Sequence, residues 1–446
     1  MTTSLSGFPE LLPSQQFVEN EVLDRLRRVF ELHGYAPLQT RAVETLDAML
    51  RKGEIDKEVY VLRRLHADPD EADSGLGLHF DLTVPFARYV LENAGHLEFP
   101  FRRYQIQKVW RGERPQVGRY REFVQADIDV IAKDELAFHY DVEIARVMAE
   151  ALASLSFVPP LRLQVNNRKL MEGFFSGLGA PDVAAVMRAV DRLDKVPADA
   201  VRVQLDEAGL TAEQADLCLR LADIRSADVS FVDEVRALGV RSDLLDQGLD
   251  ELAQVIDGCA DIGSDGLTVE ADLRIARGLD YYTGTVFETR MAGFEALGSI
   301  CSGGRYDSLA SDGKVTYPGV GISLGVTRLL MPLFQQGLVD GSRAVPSVVL
   351  IALPAEDDRA RCDALAQQLR ARGIATEIAA TAQKFGRQIR YAERRGIPFV
   401  WFPGADGAPD EVKDIRSGDQ VAGDAASWTP PETDLHPQVA TTKVVS

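Results

Sequence analysis

Hydrophobic and polar positions repeat with different periods along successive parts of the chain. Residues 14–33 carry apolar side chains at helical spacing, which predicts an amphipathic helix, and helical spacing returns at 133–155. Residues 58–131 show period-two alternation in several places, as does the stretch from about 266 to 307, and both predict strands. Residues 180–258 are rich in Ala, Leu, Asp and Arg and predict short helices. The order of these segments predicts an α+β domain in which helices separate two groups of strands.

A second, more regular pattern follows a linker at residues 337–347. The apolar run at 348–353 is typical of a strand that is buried on both faces. A helix at about 356–372, the strand "ATEIA", a helix near 381–395 and the strand "PFVWF" come next. This alternation predicts an α/β domain with a parallel or mixed sheet. We interpret residues 427–446 as a weakly ordered tail.

Composition places the chain among ordinary globular proteins. Its 446 residues suit two or three domains, and an apolar fraction of 46% is enough to fill their cores. We expect no membrane-spanning segment, because no run of about eighteen apolar residues occurs, and the opening residues lack the features of a signal peptide. The four cysteines form no C-x-x-C pair, which argues against a zinc site and favours a reducing, cytoplasmic location.

Charge is distributed unevenly along the chain. The net charge of −19 disfavours a nucleic-acid binder, but binding depends on local fields rather than on the total. Residues 101–121 contain seven basic side chains and a single acidic one, Glu113. We therefore expect a polyanion to bind in this region and to be repelled elsewhere.

The stretch "REFVQADIDVI" (121–131) separates into two faces when alternate positions are compared. The apolar face holds Val124, Ala126, Ile128 and Val130, and the polar face holds Arg121, Phe123, Gln125, Asp127 and Asp129. From the residues alone, two interpretations stay open. The stretch is either a solvated antiparallel strand or a strand that lines a polar pocket.

The preceding strand, "YQIQKVWR", ends at Arg111 and is joined to this stretch by the basic link "GERPQVGRY". Together they predict a hairpin whose polar face combines guanidinium, amide, carboxylate and aromatic groups. A guanidinium binds phosphate through two parallel hydrogen bonds, and an aromatic ring offers a flat face to a base. The hairpin therefore suits a nucleotide bound beside an amino acid.

The stretch "LHFDLTVPFARYV" (78–90) shows a similar separation of faces, which we interpret as a strand. His79, Asp81 and Thr83 share one side of it. A carboxylate beside a hydroxyl suits an ammonium group. His79 taken alone is more typical of a surface or hydrogen-bonded histidine than of a catalyst.

These segments resemble the histidyl-tRNA synthetase family of class II aminoacyl-tRNA synthetases. The segment "VWRGERPQVGRYREFVQADIDV" is similar to class II motif 2, and "PGVGISLGVTRLL" is similar to motif 3. The segments "RGLDYYTGTVFE" and "SGGRYDSL" resemble two signatures of the family, and "FPELLP" and "VKDIRSGDQ" also fit. A single Gly-rich stretch would be weak support, but six matches in the same order cover nearly the whole chain.

The resemblance implies a domain organisation. A class II catalytic domain on an antiparallel sheet would span residues 1–340, with a helical insertion at about 160–265. An anticodon-binding-like α/β domain would follow at 345–430, and residues 431–446 would form a tail. The resemblance also implies a homodimer. Motif 1 builds the dimer interface in class II enzymes and departs from the family here, with Arg41 where proline is usual.

The resemblance further implies an ATP site and a catalytic pair. ATP, together with Mg²⁺ whose protein ligands the sequence does not indicate, would be bound by Arg111, Arg119, Phe123 and Arg328. Arg111 would contact the α-phosphate, Phe123 would stack on adenine, and Arg328 would hold the γ-phosphate. Arg277 would lie over the reacting carboxylate and phosphate and would act in catalysis with Arg111.

L-histidine would be bound by six residues that the resemblance identifies: Asp81, Thr83, Gln125, Asp129, Tyr281 and Tyr282. The first three would contact the ammonium group. The imidazole would lie between Asp129 and Tyr282, with Tyr281 alongside. The family often has glutamate where this chain has Asp81 and Asp129, so the pocket would have to close slightly around the shorter acids.

A histidine-specific tRNA would be the second macromolecular partner. Arg114 and Gln116, at the tip of the hairpin, would contact its acceptor stem. In the last domain, Lys384, Arg387 and Tyr391 would face the anticodon loop, because RNA loops are typically bound by stacking and arginine contacts. The alternative interpretation of this helix is an ordinary solvated face.

The expected activity is ATP-dependent ligation of L-histidine to its tRNA through a histidyl-adenylate. The alternative is the non-catalytic regulatory subunit of ATP phosphoribosyltransferase, which shares the catalytic fold but generally lacks the last domain and complete motifs. A further possibility is an idle RNA-binding or amino-acid-sensing module, which would have lost its phosphate-binding arginines. The presence of Arg111, Arg277 and Arg328 favours the enzyme.

Overall fold

The computed structural model describes residues 5–50, 58–66, 75–194, 196–275, 282–311, 313–405 and 408–442, with the backbone alone for residues 194, 308 and 309. The chain forms two compact units, residues 1–9 with 22–332 and residues 10–21 with 333–446. No helix in the described ranges has the length and apolar character needed to cross a bilayer.

Thirteen α-helices are present in these ranges. They are α1 (Pro13–Leu32), α2 (Leu46–Leu50), α3 (Thr83–Asn93), α4 (His139–Ala153), α5 (Arg168–Gly177), α6 (Val183–Val190), α7 (Ala198–Glu207), α8 (Ala212–Ala222), α9 (Phe231–Ala237), α10 (Asp243–Gly258), α11 (Val326–Gln335), α12 (Arg359–Ala371) and α13 (Phe385–Arg395). The helix predicted at residues 14–33 is α1, and its buried stripe is Val18, Val22, Leu26 and Phe30.

The same ranges contain nineteen strands. They are β1 (Ala36–Pro37), β2 (Val43–Thr45), β3 (Tyr60–Val61), β4 (Leu76–Leu78), β5 (Phe101–Trp110), β6 (Glu122–Ile131), β7 (Leu161–Asn167), β8 (Arg225–Ser226), β9 (Leu267–Asp272), β10 (Thr285–Met291), β11 (Cys301–Ser311), β12 (Thr316–Gly325), β13 (Val339–Gly341), β14 (Val349–Ile351), β15 (Thr376–Ile378), β16 (Phe399–Phe402), β17 (Asp410–Asp414), β18 (Gln420–Gly423) and β19 (Val439–Thr441).

The first unit is built on a sheet of nine described strands in the order β1-β5-β6-β12-β11-β10-β7-β9-β8. Its central pairs are antiparallel, and the β1–β5 and β7–β9 pairs are parallel. The apolar residues of β6 lie on the same face as those of β12, and both strands contact α4, in which Ile144 and Met148 are fully buried. The antiparallel catalytic sheet predicted from the sequence is confirmed, with two parallel pairs added towards its edges.

The second unit contains a five-stranded sheet among the described residues, in the order β15-β14-β16-β17-β18. The first three strands are parallel, and β17 and β18 are antiparallel to their neighbours. Strand β14 is buried along its whole length, as its continuous apolar sequence predicts. The sheet is therefore mixed, in agreement with the α/β domain predicted for this part of the chain.

The strand predicted at residues 78–90 is wrong beyond Leu78. Strand β4 ends there, and α3 begins at Thr83. The Asp81 carboxylate accepts a hydrogen bond of 3.1 Å from the backbone N–H of Val84, and Pro85 lies in the first turn, where its missing N–H costs nothing. Val84, Ala87 and Val90 then form the buried stripe of a helix.

The region predicted as a helical insertion, residues 160–265, contains α5 to α10 but does not begin as helix. Residues 161–167 form β7, which lies in the nine-stranded sheet between β10 and β9. The alternation of buried leucine and valine with polar residues in β7 is short and ends in two asparagines. The long helical stretch that follows masks this signal in the sequence.

The weakly ordered tail predicted over residues 427–446 is wrong for the described part of that range. Strand β19 pairs with β13, which itself lies in the segment interpreted as a linker. The Trp428 ring packs edge-on against Phe399 at 5.3 Å and Trp401 at 5.6 Å. Tertiary contacts that the local composition does not reveal therefore order this segment.

We expect Trp428→Ala to destabilise the second unit by about 2 kcal/mol, because it removes a half-buried ring from two aromatic partners. Urea unfolding followed by the fluorescence of the remaining tryptophans measures the change. Val421→Ala, at an exposed position of β18, is the control and should leave the free energy of unfolding within about 0.5 kcal/mol of the parent. An unchanged midpoint for Trp428→Ala would contradict the packing.

Candidate active site

A continuous row of polar side chains crosses one face of the nine-stranded sheet. Residues directly opposite each other on paired strands point to the same face, so the register defines the row. Its members are Gln105, Asp127, Ser323, Ser302, Glu288, Gln164 and Glu270, in the order of the strands. Most of them are buried, which excludes the solvated-strand interpretation of β6. The polar face of β6 lines an interior site.

Two cavities open on this face. One has a volume of about 220 Å³, and its lining includes Arg111, Phe123 and Gln125. The other, of about 300 Å³, is lined by Tyr282 and Glu288 among other residues. They share Arg119, Ser299, Ser302 and Arg328, so they form one cleft with two compartments.

Arg111 is held from two sides where the first compartment meets the end of β5. Its Nε donates a hydrogen bond of 3.0 Å to the backbone carbonyl of Phe80, and its guanidinium carbon lies 5.1 Å from the centre of the Phe123 ring. Phe123 comes from β6, and the side chain of Arg111 is about one-third exposed. Within the described residues the Nη atoms of Arg111 make no hydrogen bond, and Nη1 lies 3.9 Å from Glu113, so both atoms are open to a ligand in the cleft.

Two further arginines line the same compartment. Arg119 forms an ion pair of 3.0 Å with Glu113, which also approaches Arg111 at 3.9 Å. Arg328, in the first turn of α11, donates a hydrogen bond to the backbone carbonyl of Leu297. Three of the four residues predicted to bind ATP therefore contribute guanidinium groups to one cavity, and the fourth, Phe123, contributes its ring.

Asp129 lies deeper on the same face and is tightly bound. Its Oδ2 is 2.6 Å from Nη2 of Arg103, and its Oδ1 accepts a hydrogen bond of 2.9 Å from the hydroxyl of Tyr306. Arg103 is fully buried, and its guanidinium carbon lies 4.2 Å from the centre of the Phe86 ring. The carboxylate predicted to contact imidazole is thus held in one orientation by two partners, Arg103 and Tyr306, which the sequence does not assign to it.

Two glycines provide the space that the side chains of Asp129 and Tyr282 occupy. A Cβ at position 321 would overlap the Asp129 carboxylate, and a Cβ at Gly304 would lie 2.7 Å from the ring of Tyr282. Gly304 lies in β11 and Gly321 lies in the paired strand β12. Because glycine has no Cβ, the side chains of Tyr282 and Asp129 can lie directly against the backbone at these positions. This is the physical reason for Gly304 in the segment "SGGRYDSL" and for Gly321 in the segment "PGVGISLGVTRLL".

Gln125 and Asp127 are joined through a serine on the neighbouring strand. Gln125 Nε2 donates a hydrogen bond of 2.6 Å to Ser323 Oγ, and the Ser323 side chain is also hydrogen-bonded to Asp127. Burial raises the pKa of the Asp127 carboxyl to about 7, and Arg103 and the Ser323 hydrogen bond oppose this shift. A carboxyl group with a pKa near neutrality therefore lies on the same face of β6 as Gln125 and Asp129, which are predicted to bind histidine.

Asp81 and Thr83, predicted to contact ammonium, lie at the start of α3. Asp81 is 6% exposed and accepts the hydrogen bond from Val84, while Thr83 is the first helical residue and is half-buried. His79 is buried and hydrogen-bonded through Nε2 to the Lys108 carbonyl at 2.7 Å, and burial lowers its pKa. It is the hydrogen-bonded histidine that the sequence favoured over a catalyst.

Tyr282 lies close enough to Asp81, Asp127 and Asp129 for their charges to act on it. Burial, and after it the charge of Asp129, raises the pKa of its hydroxyl well above the usual range. Arg277 and Tyr281, the other predicted residues of this segment, lie outside the described residues. The backbone on both sides of them is anchored: Asn166 Nδ2 donates to the Ile275 carbonyl at 2.7 Å, and Arg168 Nη1 donates to the Tyr282 carbonyl at 3.1 Å.

The predicted tRNA-binding residues lie on exposed surfaces. Arg114 and Gln116 are exposed in the link between β5 and β6, where Gln116 and Arg119 form a two-residue bridge. In the second unit, Arg387 and Tyr391 of α13 line a cavity of about 500 Å³, and Lys384 immediately precedes that helix. Tyr391 donates a hydrogen bond of 3.3 Å to Glu377.

Four residues in or beside the cleft were not assigned to the site from the sequence: Glu113 and Ser323, which line the cleft, and Arg103 and Tyr306, which bind Asp129. Arg103 was counted as one of seven basic residues that would attract a polyanion, yet it is buried against Asp129. A signal for it exists, because Arg103, Gln105 and Gln107 alternate along β5 as the acids do along β6. Tyr306 and Ser323 become visible only when β11, β12 and β6 are paired.

A mixed, centrally antiparallel sheet with arginines and an aromatic ring at one end of a polar face defines the catalytic domain of a class II aminoacyl-tRNA synthetase. The family model "Histidyl-tRNA synthetase" matches residues 7–329, and the model "Anticodon binding domain" matches residues 347–423. The chain belongs to the histidyl-tRNA synthetase family. The resemblance inferred from the motifs is thereby confirmed.

Known relatives match this chain over nearly its full length. It is 60% identical over 446 residues to the histidine–tRNA ligase of Cutibacterium acnes, with 98% of each protein covered. It is 58% identical over 453 residues to that of Micrococcus luteus, again with 98% of each covered. The crystal structure of histidyl-tRNA synthetase from Nostoc sp. PCC 7120 superposes with a TM-score of 0.83 at 34% identity, covering 95% of this chain and 97% of that one.

We expect Arg103→Met to lower the free energy of unfolding of the first unit by about 3–5 kcal/mol, because it leaves the buried Asp129 without its cation. Urea denaturation measures the loss. Arg102→Met is the matched control, since the neighbouring arginine is one-third exposed and pairs with Glu143 on the α4 side of the sheet. The double variant Arg103→Met/Asp129→Asn should recover much of the loss, and additive losses would contradict the buried pair.

Proposed function

We propose that the chain catalyses ATP-dependent ligation of L-histidine to its tRNA through a histidyl-adenylate. The observation that carries this proposal is the position of Arg111, which is held by Phe80 and Phe123 in one compartment of the cleft. The other compartment is lined by Tyr282, which lies close to the carboxylates of Asp81, Asp127 and Asp129. A cation at one end and carboxylates at the other suit a substrate with a phosphate at one end and an ammonium at the other. Membership of the family supports the same activity.

In the first step, a carboxylate oxygen of histidine attacks the α-phosphorus of ATP. The new bond is an acyl-phosphate, and the bond from the α-phosphorus to the bridging oxygen breaks to release pyrophosphate. Two anionic groups are brought together, so fixed positive charge and in-line alignment supply most of the catalysis. We assign this role to Arg111 and to Arg277, the second of which lies outside the described residues.

The remaining ATP contacts follow from the lining of the first compartment. Phe123 offers its ring to adenine, and Arg119 and Arg328 supply charge for the outer phosphates. Mg²⁺ enters with ATP as part of the substrate. Because no group of three or more His, Cys, Asp or Glu side chains in the described residues is arranged to hold a metal, we assign the ion no protein ligand.

Selectivity for histidine follows from buried polar partners. We assign the ammonium to Asp81, Thr83 and Gln125, and the imidazole to Asp129, Tyr281 and Tyr282. A competing amino acid without ring nitrogens would leave Asp129 and its neighbours unpaired in a buried site, and rejection of this kind reaches on the order of ten-thousand-fold.

In the second step, a hydroxyl at the 3′ end of the tRNA attacks the histidyl carbonyl, and AMP leaves. We assign contacts with the acceptor stem to Arg114 and Gln116, and contacts with the anticodon loop to the residues 345–430, through Lys384, Arg387 and Tyr391. The exposed basic side chains and the half-buried tyrosine support this assignment. We further propose that the enzyme acts in the cytoplasm as a homodimer, as the resemblance of the chain implies.

The non-catalytic regulatory subunit of ATP phosphoribosyltransferase is the weaker candidate. A solved structure from Bacillus halodurans, titled as such a subunit or a histidyl-tRNA synthetase, superposes with a TM-score of 0.71 at 20% identity, which shows the shared fold alone. The matched anticodon-binding domain and the arginines that line the cleft favour the ligase.

Histidine-dependent ATP–pyrophosphate exchange with the pure protein tests the first step. We expect Arg111→Ala to reduce exchange by at least about a hundred-fold, since it removes a cation that acts on the α-phosphate. Arg277→Ala should largely abolish exchange while histidine binding survives. Lys108→Ala is the matched control, because this exposed lysine of β5 pairs with Glu122. Exchange without histidine dependence in the parent protein would refute the proposal.

Aminoacylation of tRNA tests the role of the second unit. Arg387→Ala should raise the KM for tRNA about five- to ten-fold by removing one phosphate or base contact, and it should leave pyrophosphate exchange unchanged. Arg361→Ala is the control for loss of charge in the same unit. It removes an exposed arginine of α12 that is paired with Asp410. Equal loss of exchange and aminoacylation in Arg387→Ala would contradict the division of roles.

A further inference from the structure

The side chains of Asp127, Ser323 and Gln125 form a chain of hydrogen bonds beneath the cleft. Asp127 and Ser323 are directly opposite each other on β6 and β12, and Ser323 Oγ accepts a hydrogen bond of 2.6 Å from Gln125 Nε2. Asp127 and Gln125 are 3% and 8% exposed, respectively. Gln125 lines the first compartment, whereas Asp127 does not. Asp127 can therefore influence a ligand there through its neighbours.

The donors and acceptors that these three side chains carry determine the direction of the hydrogen bonds between them. An ionised carboxylate can only accept hydrogen bonds, so the hydroxyl of Ser323 has to donate to Asp127. The single proton of that hydroxyl is then used, and Ser323 Oγ can only accept from Gln125. The amide nitrogen of Gln125 consequently points towards Ser323, and its oxygen points the other way.

The orientation of this amide decides what the cleft offers. Gln125 Oε1 is buried and has no hydrogen-bond partner among the described residues. An acceptor left unpaired in a buried site is costly unless a ligand supplies a donor. An α-ammonium group carries three such donors, whereas a reversed amide would present its own N–H groups to that cation.

We propose that Asp127 is a positioning residue for the ammonium site: through Ser323 it holds the amide of Gln125 with Oε1 facing the cleft. This inference rests on the proposed function and adds to it a residue that does not touch the substrate. Asparagine at position 127 would offer an N–H group to Ser323, so the serine could donate to Gln125 Oε1 and the amide would reverse.

We call the hydrogen bonds that run from Asp127 through Ser323 to Gln125 the relay. The charged groups around Asp127 support a relay whose direction depends on whether the Asp127 carboxyl is ionised. Arg103 faces it from β5, Asp129 from the same strand, and Asp81 from the start of α3, with Tyr282 nearby. Burial raises the pKa of Asp127 to about 7. Below that pH the carboxyl gains a proton that it can donate to Ser323, and the relay reverses as it does in the asparagine variant.

Steady-state pyrophosphate exchange of Asp127→Asn tests the inference. We expect the KM for histidine to rise about ten- to hundred-fold, the range for losing a hydrogen bond to a charged group, with kcat within about three-fold of the parent. Ser323→Ala should also raise KM, and the double variant should be no worse than the weaker-binding single variant. Additive effects, or an unchanged KM in Asp127→Asn, would overturn the proposal.

The pH profile separates positioning from a general structural defect. The ratio of KM in Asp127→Asn to KM in the parent should be largest near pH 8 and should approach one as the pH falls below about 6, because the protonated parent then resembles the variant. Titration of the substrate cancels in this ratio. A ratio that does not change with pH would contradict the relay.

A substrate analogue provides the second readout. Imidazolepropionate is histidine without its amino group, so its inhibition constant should be the same for the parent, Asp127→Asn and Ser323→Ala. Weaker inhibition by this analogue in the variants would overturn a role confined to the ammonium. Glu122→Gln makes the same chemical change on the opposite face of β6 and should leave both constants unchanged.

These outcomes are distinguishable from failure of the proposed function. If the parent protein shows no histidine-dependent exchange, the ligase assignment fails before any variant is compared. If the parent is active and the variants bind histidine normally, the positioning role fails alone. Ser323→Ala carries the test independently should Asp127→Asn not fold, which a thermal unfolding curve establishes.

Discussion

The buried ion pair between Arg103 and Asp129 is the interaction on which the organisation of the cleft depends. At 2.6 Å the guanidinium compensates a carboxylate that has almost no access to water. Without that cation, the polar face of β6 would have to bury Asp127 and Asp129 together without compensation. Phe86 of α3 covers the guanidinium at 4.2 Å, so a helix and two strands jointly hold the acid that we assign to imidazole.

The two faces of the nine-stranded sheet have different roles: one packs in the core and the other carries the residues of the proposed site. One face carries the apolar residues of β6 and β12, strands that both contact α4, and it provides the core. The other face carries a buried row of polar side chains, which destabilises the folded state unless these side chains form hydrogen bonds with one another. Hydrogen bonds such as the one from Gln125 to Ser323 reduce that cost and at the same time restrict each side chain to one orientation.

Local charge in the cleft opposes the charge of the whole protein. The chain carries a net charge of −19, yet Arg111, Arg119 and Arg328 line a single compartment. We propose that their positive field faces the phosphate end of the substrates, and that the amino-acid end binds near Tyr282, which lies close to the carboxylates of Asp81, Asp127 and Asp129. A bipolar cleft of this kind orients a bipolar substrate before any specific contact forms.

The sequence by itself determined the two faces of β6, the helix α1, the alternating elements of the second unit and the family, because periodicity and motif spacing are local properties of the chain. It did not determine that residues 83–93 are helical, where the Asp81 carboxylate and Pro85 outweigh a short strand-like alternation. It also did not determine that Arg103 and Tyr306 bind Asp129, that Ser323 lines the cleft, or that residues 427–442 are ordered. Those outcomes depend on which strands pair and in which register, and residues far apart in the chain meet only when tertiary packing brings their strands together.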